Sequence, residues 1–167
     1  LPLLAVALAD ALADVDYELL IADDRSEDAT EKVIAELSEQ HPIRLIKAGD
    51  RPRDLSLSVL DGIDAARHSI VLVMEADLSH PPEMIPQMLS ALEVEPDSFV
   101  LGRRYVSGGS FDREWSMWRF LNSHIATLIA KPLVSCSDPM SGFFLFDVRN
   151  IERSRLRPLG YKIGLEL

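Results

Sequence analysis

Apolar residues at Leu1, Leu4, Leu8, Leu12 and Val15 recur at helical spacing and predict an opening helix. Leu19-Leu20-Ile21-Ala22 reads as a short buried strand that ends at Asp23-Asp24. Val33, Ile34 and Leu37 place a helix over residues 30–40, and residues 43–47 form a second strand. Leu55, Val59, Leu60 and Ile63 mark another helix, followed by a strand over 70–74. Met84, Ile85, Met88, Leu89 and Leu92 mark a helix opened by Pro81-Pro82, and residues 98–101 form a fourth strand. Strands that are apolar on both faces and alternate with helices predict a mostly parallel sheet covered by helices, an α/β fold.

The pattern then changes. Gly102-Arg103-Arg104-Tyr105-Val106-Ser107-Gly108-Gly109-Ser110 is a loop rich in glycine and arginine. A long helix is expected next, with Trp118, Leu121, Ile125, Leu128 and Ile129 on its apolar face and Pro132 at its end. Residues 137–147 turn from polar to apolar through Phe143-Phe144-Leu145-Phe146, a bent strand. A short helical stretch near Ile151 leads to Gly160-Tyr161-Lys162.

Composition narrows the class. A chain of 167 residues with 47% hydrophobic residues can bury a core and reads as a single domain over 1–167. The net charge of −10 argues against nucleic acid as a partner. An anionic substrate stays open if a divalent cation mediates the contact. Cys136 is the lone cysteine, so neither an internal disulfide nor a cysteine-based zinc site is expected. No apolar run approaches the roughly 18 residues of a spanning helix, so the segment is expected to stay in water. The chain begins at Leu1 in a helical pattern and stops at Leu167 in an apolar one, and it reads as an internal piece of a longer protein.

Ligands of open α/β sheets bind beyond the carboxyl ends of the strands. Those ends carry Asp23-Asp24, then Arg51, then Glu75 and Asp77, then Arg103-Arg104. Alternation puts Glu75 and Asp77 on one side, so both can face one metal ion or phosphorylated ligand. Asp24, Ser26 and Asp28 also suit capping of the next helix. Ser79 and His80 are the better placed caps for the Pro81 helix, and His80, beside two prolines, reads as a packing and capping residue. Trp115, Arg119 and Ser123 are four apart and share a second helix face. Arginine forks suit phosphate oxygens, which assigns Arg104 and Arg119 to an anion. Arg103 and Arg113 fit a solvated face with ion pairs to Asp112 and Glu114.

Six segments in register resemble family-2 glycosyltransferases of the GT-A fold, a Rossmann-like three-layer α/β/α architecture. Asp23-Asp24-Arg25-Ser26-Glu27-Asp28-Ala29-Thr30 resembles the DDGSxDxT element. Glu75-Ala76-Asp77-Leu78-Ser79-His80-Pro81-Pro82-Glu83 resembles the DADLSHPPE element of the polyprenol-phosphate (dolichol-phosphate) mannosyltransferase branch. Arg103-Arg104-Tyr105-Val106-Ser107-Gly108-Gly109 resembles its SRYxxGG loop, and residues 115–123 its W-x3-R-x3-S helix. Ser137-Asp138-Pro139-Met140-Ser141-Gly142-Phe143-Phe144 resembles SDPxSGF, and residues 160–166 the GYKI-x-LE end. The sequence departs from the family pattern at three places. Glu75 stands where aspartate is usual, Arg25 replaces a turn glycine, and Asp54-Leu55-Ser56 stands where a GLG or GLS element is usual. The family's first strand, with its P-x-Y-N-E loop, is expected upstream of Leu1.

The resemblance implies a metal-dependent inverting transferase that moves a hexose, mannose from GDP-mannose, onto a polyprenyl phosphate at the cytoplasmic face of a membrane. Any membrane-anchoring segment is expected outside this chain. Asp77, assisted by Glu75, is implied to hold Mg²⁺ or Mn²⁺. Asp23, Asp24 and Arg51 join them around the nucleotide-sugar. Arg104, Trp115, Arg119, Ser123, Asp138 and Ser141 are implied on the acceptor side, with Asp77, Arg104 and Arg119 as the catalytic set. Two other classes compete. A phosphoacceptor receiver domain also carries an acidic pair, a later acidic residue and a Lys-Pro such as Lys131-Pro132, but Lys131 ends a helical pattern here instead of a strand. A non-catalytic nucleotide-sugar-binding module is the third reading.

Overall fold

A computed structural model describes residues 1–102, 141–152, 156 and 163. Among the described residues the elements in chain order are α1 (Pro2–Ala11), β1 (Leu19–Asp23), α2 (Thr30–Leu37), β2 (Ile43–Lys47), α3 (Leu55–Ala65), β3 (Ile70–Val73), α4 (Ile85–Val94), β4 (Val100–Leu101) and β5 (Phe144–Asp147). The expected loop at 103–110 and the helix carrying Trp115, Trp118, Arg119 and Ser123 lie outside the described residues, as do Arg113 and Asp138.

Each helix has a local cause. Asp54 caps α3 by accepting the Leu57 N–H at 3.0 Å. Asp28 accepts the Thr30 N–H at 2.9 Å and so satisfies an orphan donor at the start of α2. The double proline opens a short 3-10 turn, Pro82–Met84, which runs into α4 without a side-chain cap. Ser79 and His80, expected as caps there, are turned elsewhere.

β1 and β2 pair in parallel, with Leu19 opposite Ile43 and Asp23 opposite Lys47. β5 lies between β3 and β4 and runs antiparallel to both, so β3 and β4 share a direction without touching. All four residues of β5 are buried, which suits a central strand. Helices cover both faces. Leu4 and Leu8 of α1 and Leu12 just past its end pack with Ile85, Met88 and Leu92 of α4 over Leu19, Leu72, Phe143 and Leu145. On the opposite face Leu57, Leu60 and Ile63 of α3 pack with Val71, Val73, Phe144 and Phe146. Each fully buried aliphatic side chain contributes about 1.5–3 kcal/mol through area removed from water. Among the described residues no helix is long and apolar enough to cross a membrane.

Away from the strand ends that carry the acidic residues, Glu18 ties three segments together. Its carboxylate accepts from Arg44 Nη2 at 2.8 Å and from the Arg67 N–H at 2.6 Å, and Arg44 also donates to the Ala65 carbonyl at 2.9 Å. Burial pushes the Glu18 carboxyl up, but the hydrogen bonds from Arg44 and Arg67 outweigh it and bring the group below its ordinary value. A carboxylate depressed in the folded state adds stability that is present above the ordinary range and lost as pH falls through the folded value. Glu18→Ala is therefore expected to cost about 1–3 kcal/mol at neutral pH. Urea unfolding of the two proteins at pH 7 and pH 3 checks this, and the difference should shrink in acid.

Candidate active site

The parallel strands β1 and β2 bring their carboxyl ends to one edge. Asp23 closes the turn after β1 by accepting the Ser26 N–H at 3.0 Å and the Ser26 hydroxyl. Arg25 sits in that turn at φ 65°, a left-handed conformation that suits the glycine it replaces. Its guanidinium donates to the Arg51 carbonyl, while Arg53 Nη2 donates back to the Arg25 carbonyl at 2.8 Å. The two loops are thus interlocked.

Asp24 is turned inward. Its Oδ2 accepts the Asp54 N–H at 2.7 Å, which fixes the residue that caps α3. Its Oδ1 is buried and accepts no hydrogen bond among the described residues, with Arg51 Nη1 at 3.6 Å. Arg51, expected at the nucleotide-sugar, is committed to protein partners. It donates to Asp61 Oδ2 at 2.6 Å, to Ser58 Oγ at 3.2 Å and to the Pro52 carbonyl at 3.1 Å. Asp61 and Ser58 were not singled out from the sequence. They follow the Asp54 cap by seven and four residues, so helical spacing places all three along one side of α3.

The second half of the site lies where β3 and β4 flank the start of β5. Val73 and Leu101 both stand opposite Phe144, so Glu75 and Gly102 emerge on either side of Ser141-Gly142-Phe143. Asp77 Oδ1 accepts the Ser79 N–H at 2.9 Å, and the Ser79 hydroxyl donates to Glu75 Oε2 at 3.3 Å. Leu78 turns the chain between them at φ 65°. The Ser79 hydrogen bonds hold the Asp77 carboxyl below its ordinary value, so it is ionised throughout the neutral range. A cavity of about 280 Å³ lies beside Asp77, lined by residues 1–4 and 76–78.

Ser141 is buried, and its hydroxyl donates to the Gly102 carbonyl at 2.7 Å and accepts the Phe143 N–H at 3.2 Å. It sits beside the carboxylate loop but its hydroxyl clasps backbone. His80, read from the sequence as packing and capping, does pack, but it bonds the Glu75 N–H at 3.0 Å instead of capping a helix.

Among the described residues no three His, Cys, Asp or Glu side chains form a metal-binding group. Two carboxylates on one turn fit a hard divalent cation nonetheless, because Mg²⁺ is commonly held by one or two carboxylates while ligand phosphates and water fill the remaining positions.

Helices on both faces of the β1–β2 and β3–β5–β4 sheets give an α/β architecture, and an acidic pair follows β3. Residues 2–153 match the model of Glycosyl transferase family 2, and the chain belongs to that family. Membership sets the receiver-domain alternative aside. Among its relatives is a dolichol-phosphate mannosyltransferase of Mycosarcoma maydis, 40% identical over 90% of this chain and 51% of that protein. Proteins of the same name from Pyrococcus furiosus (36% identical, 95% of this chain, 45% of that protein) and Saccharomyces cerevisiae (38%, 90% and 57%) are similar. The chain thus spans about half the length of these relatives. The fold also matches the crystal structure of glucosyl-3-phosphoglycerate synthase from Mycobacterium tuberculosis in complex with UDP, with a TM-score of 0.59 and 19% identity over 87% of this chain and 52% of that one.

Proposed function

We propose that this chain forms the catalytic part of an inverting transferase that moves mannose from GDP-mannose onto the phosphate of a polyprenol, at the cytoplasmic face of a membrane. The observation that carries the reading is identity of 36–40% over nine-tenths or more of the chain to proteins named dolichol-phosphate mannosyltransferase. Glu75 and Asp77, on one turn beyond β3, would hold Mg²⁺ or Mn²⁺. Such an ion supplies positive charge against the negative charge that builds on a leaving nucleoside diphosphate. Asp23 borders the nucleoside side. Asp24 and Arg51 build the wall behind it through Asp54 and Asp61.

In the reaction, a phosphate oxygen of the acceptor attacks the anomeric carbon. The bond from that carbon to the nucleoside diphosphate breaks, and the configuration inverts. The acceptor is already an anion near neutral pH, so no protein base has to remove a proton from it. Arg104 and Arg119 would hold the acceptor phosphate, with Trp115 and Ser123, four residues to either side of Arg119 in sequence, also assigned to the acceptor. Asp138 is assigned to the acceptor by its place in the Ser137-Asp138-Pro139 segment. Ser141 serves the acceptor indirectly, by fixing Gly102 two residues before Arg104.

The test is transfer from labelled GDP-mannose or UDP-glucose to a short-chain polyprenyl phosphate by the full-length protein, with Mg²⁺, with Mn²⁺ and with EDTA. Metal-dependent formation of mannosyl lipid is expected. Binding of donor without any turnover would favour the non-catalytic module instead. In the same assay Arg119→Ala is expected to lower kcat/KM for the acceptor roughly tenfold to a hundredfold, the value of a charge-assisted phosphate contact of about 1.5–3 kcal/mol. Donor affinity should stay near wild type. A loss of donor binding instead would remove Arg119 from the acceptor phosphate.

A further inference from the structure

The carboxylate turn is closed by an imidazole. The His80 ring is only 4% exposed, and its Nδ1 accepts the Glu75 N–H at 3.0 Å. Nδ1 is thus the acceptor that satisfies the Glu75 main-chain N–H. The ring stacks on Phe143, with centroids 5.0 Å apart and 7° between the planes. Phe143 is itself 3% exposed and belongs to the core between α1 and α4. Pro81 and Pro82 follow His80 directly; their rings fix φ, and the residue before a proline is kept extended. The imidazole is therefore held by a stiff stem on one side and a buried ring on the other. The turn it closes contains Glu75, Asp77 and Ser79, joined by the hydrogen bonds from Ser79 to both carboxylates.

We propose that His80 is a positioning residue for the carboxylate pair. By pinning the Glu75 amide against a ring anchored on Phe143, it sets the direction in which Glu75 and Asp77 leave β3, and with it the affinity of this turn for a divalent cation carried with a nucleoside diphosphate. The proposal rests on the reading that these carboxylates hold such a cation, and it adds a residue that acts through the Glu75 main chain. Other hydrogen-bond acceptors of similar reach should serve in its place, whereas a ring without an acceptor should not.

Two substitutions separate the acceptor from the ring. His80→Asn keeps an acceptor near Nδ1 and loses the ring, and His80→Phe keeps a stacking ring and loses the acceptor. Mn²⁺ affinity is measured on the full-length protein with GDP-mannose present, by electron paramagnetic resonance of the free ion, together with Tm. His80→Phe is expected to weaken Mn²⁺ binding about tenfold to a hundredfold, the usual effect of removing an outer-shell partner, while His80→Asn stays within about threefold of wild type. His80→Leu makes the same test with a smaller side chain where the phenylalanine variant does not fold. Wild-type affinity in a folded variant without the acceptor overturns the proposal. So does equal weakening in His80→Asn and His80→Phe that tracks their Tm. Failure of the wild-type protein itself to bind Mn²⁺ removes the cation reading and this proposal with it, and is recognised because no variant is involved.

Discussion

Asp77→Asn is expected to abolish metal-dependent donor binding while leaving the fold intact. The physical case rests on what asparagine keeps and what it loses. Asp77 Oδ1 accepts the Ser79 N–H at 2.9 Å, and an asparagine carbonyl oxygen can accept the same bond, so the turn after β3 should close as before. The negative charge is lost, and with it the stronger donor for a hard cation. The charge is dependable in the wild-type protein, because the Ser79 hydrogen bonds hold the Asp77 carboxyl below its ordinary value. Calorimetric titration of GDP-mannose with and without Mn²⁺ should show the metal-dependent increment in affinity fall by more than about a hundredfold, or roughly 3 kcal/mol at 1.36 kcal/mol per tenfold. The metal-independent part should be unchanged, and Tm should shift little. An increment equal to that of wild type would remove Asp77 from the metal.

Much of the frame was legible from short-range pattern. The strand over 43–47 is β2 as expected, because its apolar run is bounded on both sides by turn residues. The helix expected over 30–40 ends at Leu37, where the N–H groups of Gln40 and His41 both return to the Leu37 carbonyl and close a turn. What local pattern could not show is pairing across distance. Nothing in Phe144-Leu145-Phe146-Asp147 says that it enters between β3 and β4 and runs against them, since an apolar run fits either sense. The site divides in the same way. The acidic residues were legible because carboxylates at strand ends are conspicuous, and Arg51 because it is a cation beside them. The partner that holds Arg51 is Asp61, ten residues on and one charge among many on a helix, and only folding reveals the choice. His80 was legible as a packed residue but not as the acceptor of the Glu75 amide, a backbone contact that no residue type announces. Arg104, Trp115, Arg119, Ser123 and Asp138 lie outside the described residues and stand on the sequence alone.

Gly102→Ala is expected to destabilise the protein and to weaken the carboxylate site 27 positions upstream in sequence. A methyl group built on Gly102 would lie 2.2 Å from Phe143 Cδ1 and 2.9 Å from Cγ, where an ordinary contact needs at least 3.4 Å. The ring must therefore move by more than an ångström. Phe143 is 3% exposed and stacks on His80, so the displacement goes into the α1–α4 core or into the imidazole. Gly102 cannot simply retreat. Its N–H donates to the Phe143 carbonyl at 2.8 Å and its carbonyl accepts the Ser141 hydroxyl at 2.7 Å. Replacing glycine by alanine gains about 0.4–1 kcal/mol through the unfolded chain, and overpacking a core costs about 1–3 kcal/mol. With a clash this close in a site fixed on both sides, the cost wins. For a chain of this size the net loss lowers Tm by a few degrees, at about 2–4 °C per kcal/mol. Phe143→Leu in the Gly102→Ala background removes the clashing ring edge. The double variant should then be less destabilised than the sum of the two single changes, a coupling expected of residues in contact. Thermal unfolding of the four proteins in that cycle decides the matter. A Gly102→Ala protein as stable as wild type, or additivity within about 0.3 kcal/mol, would show that the ring has room to yield.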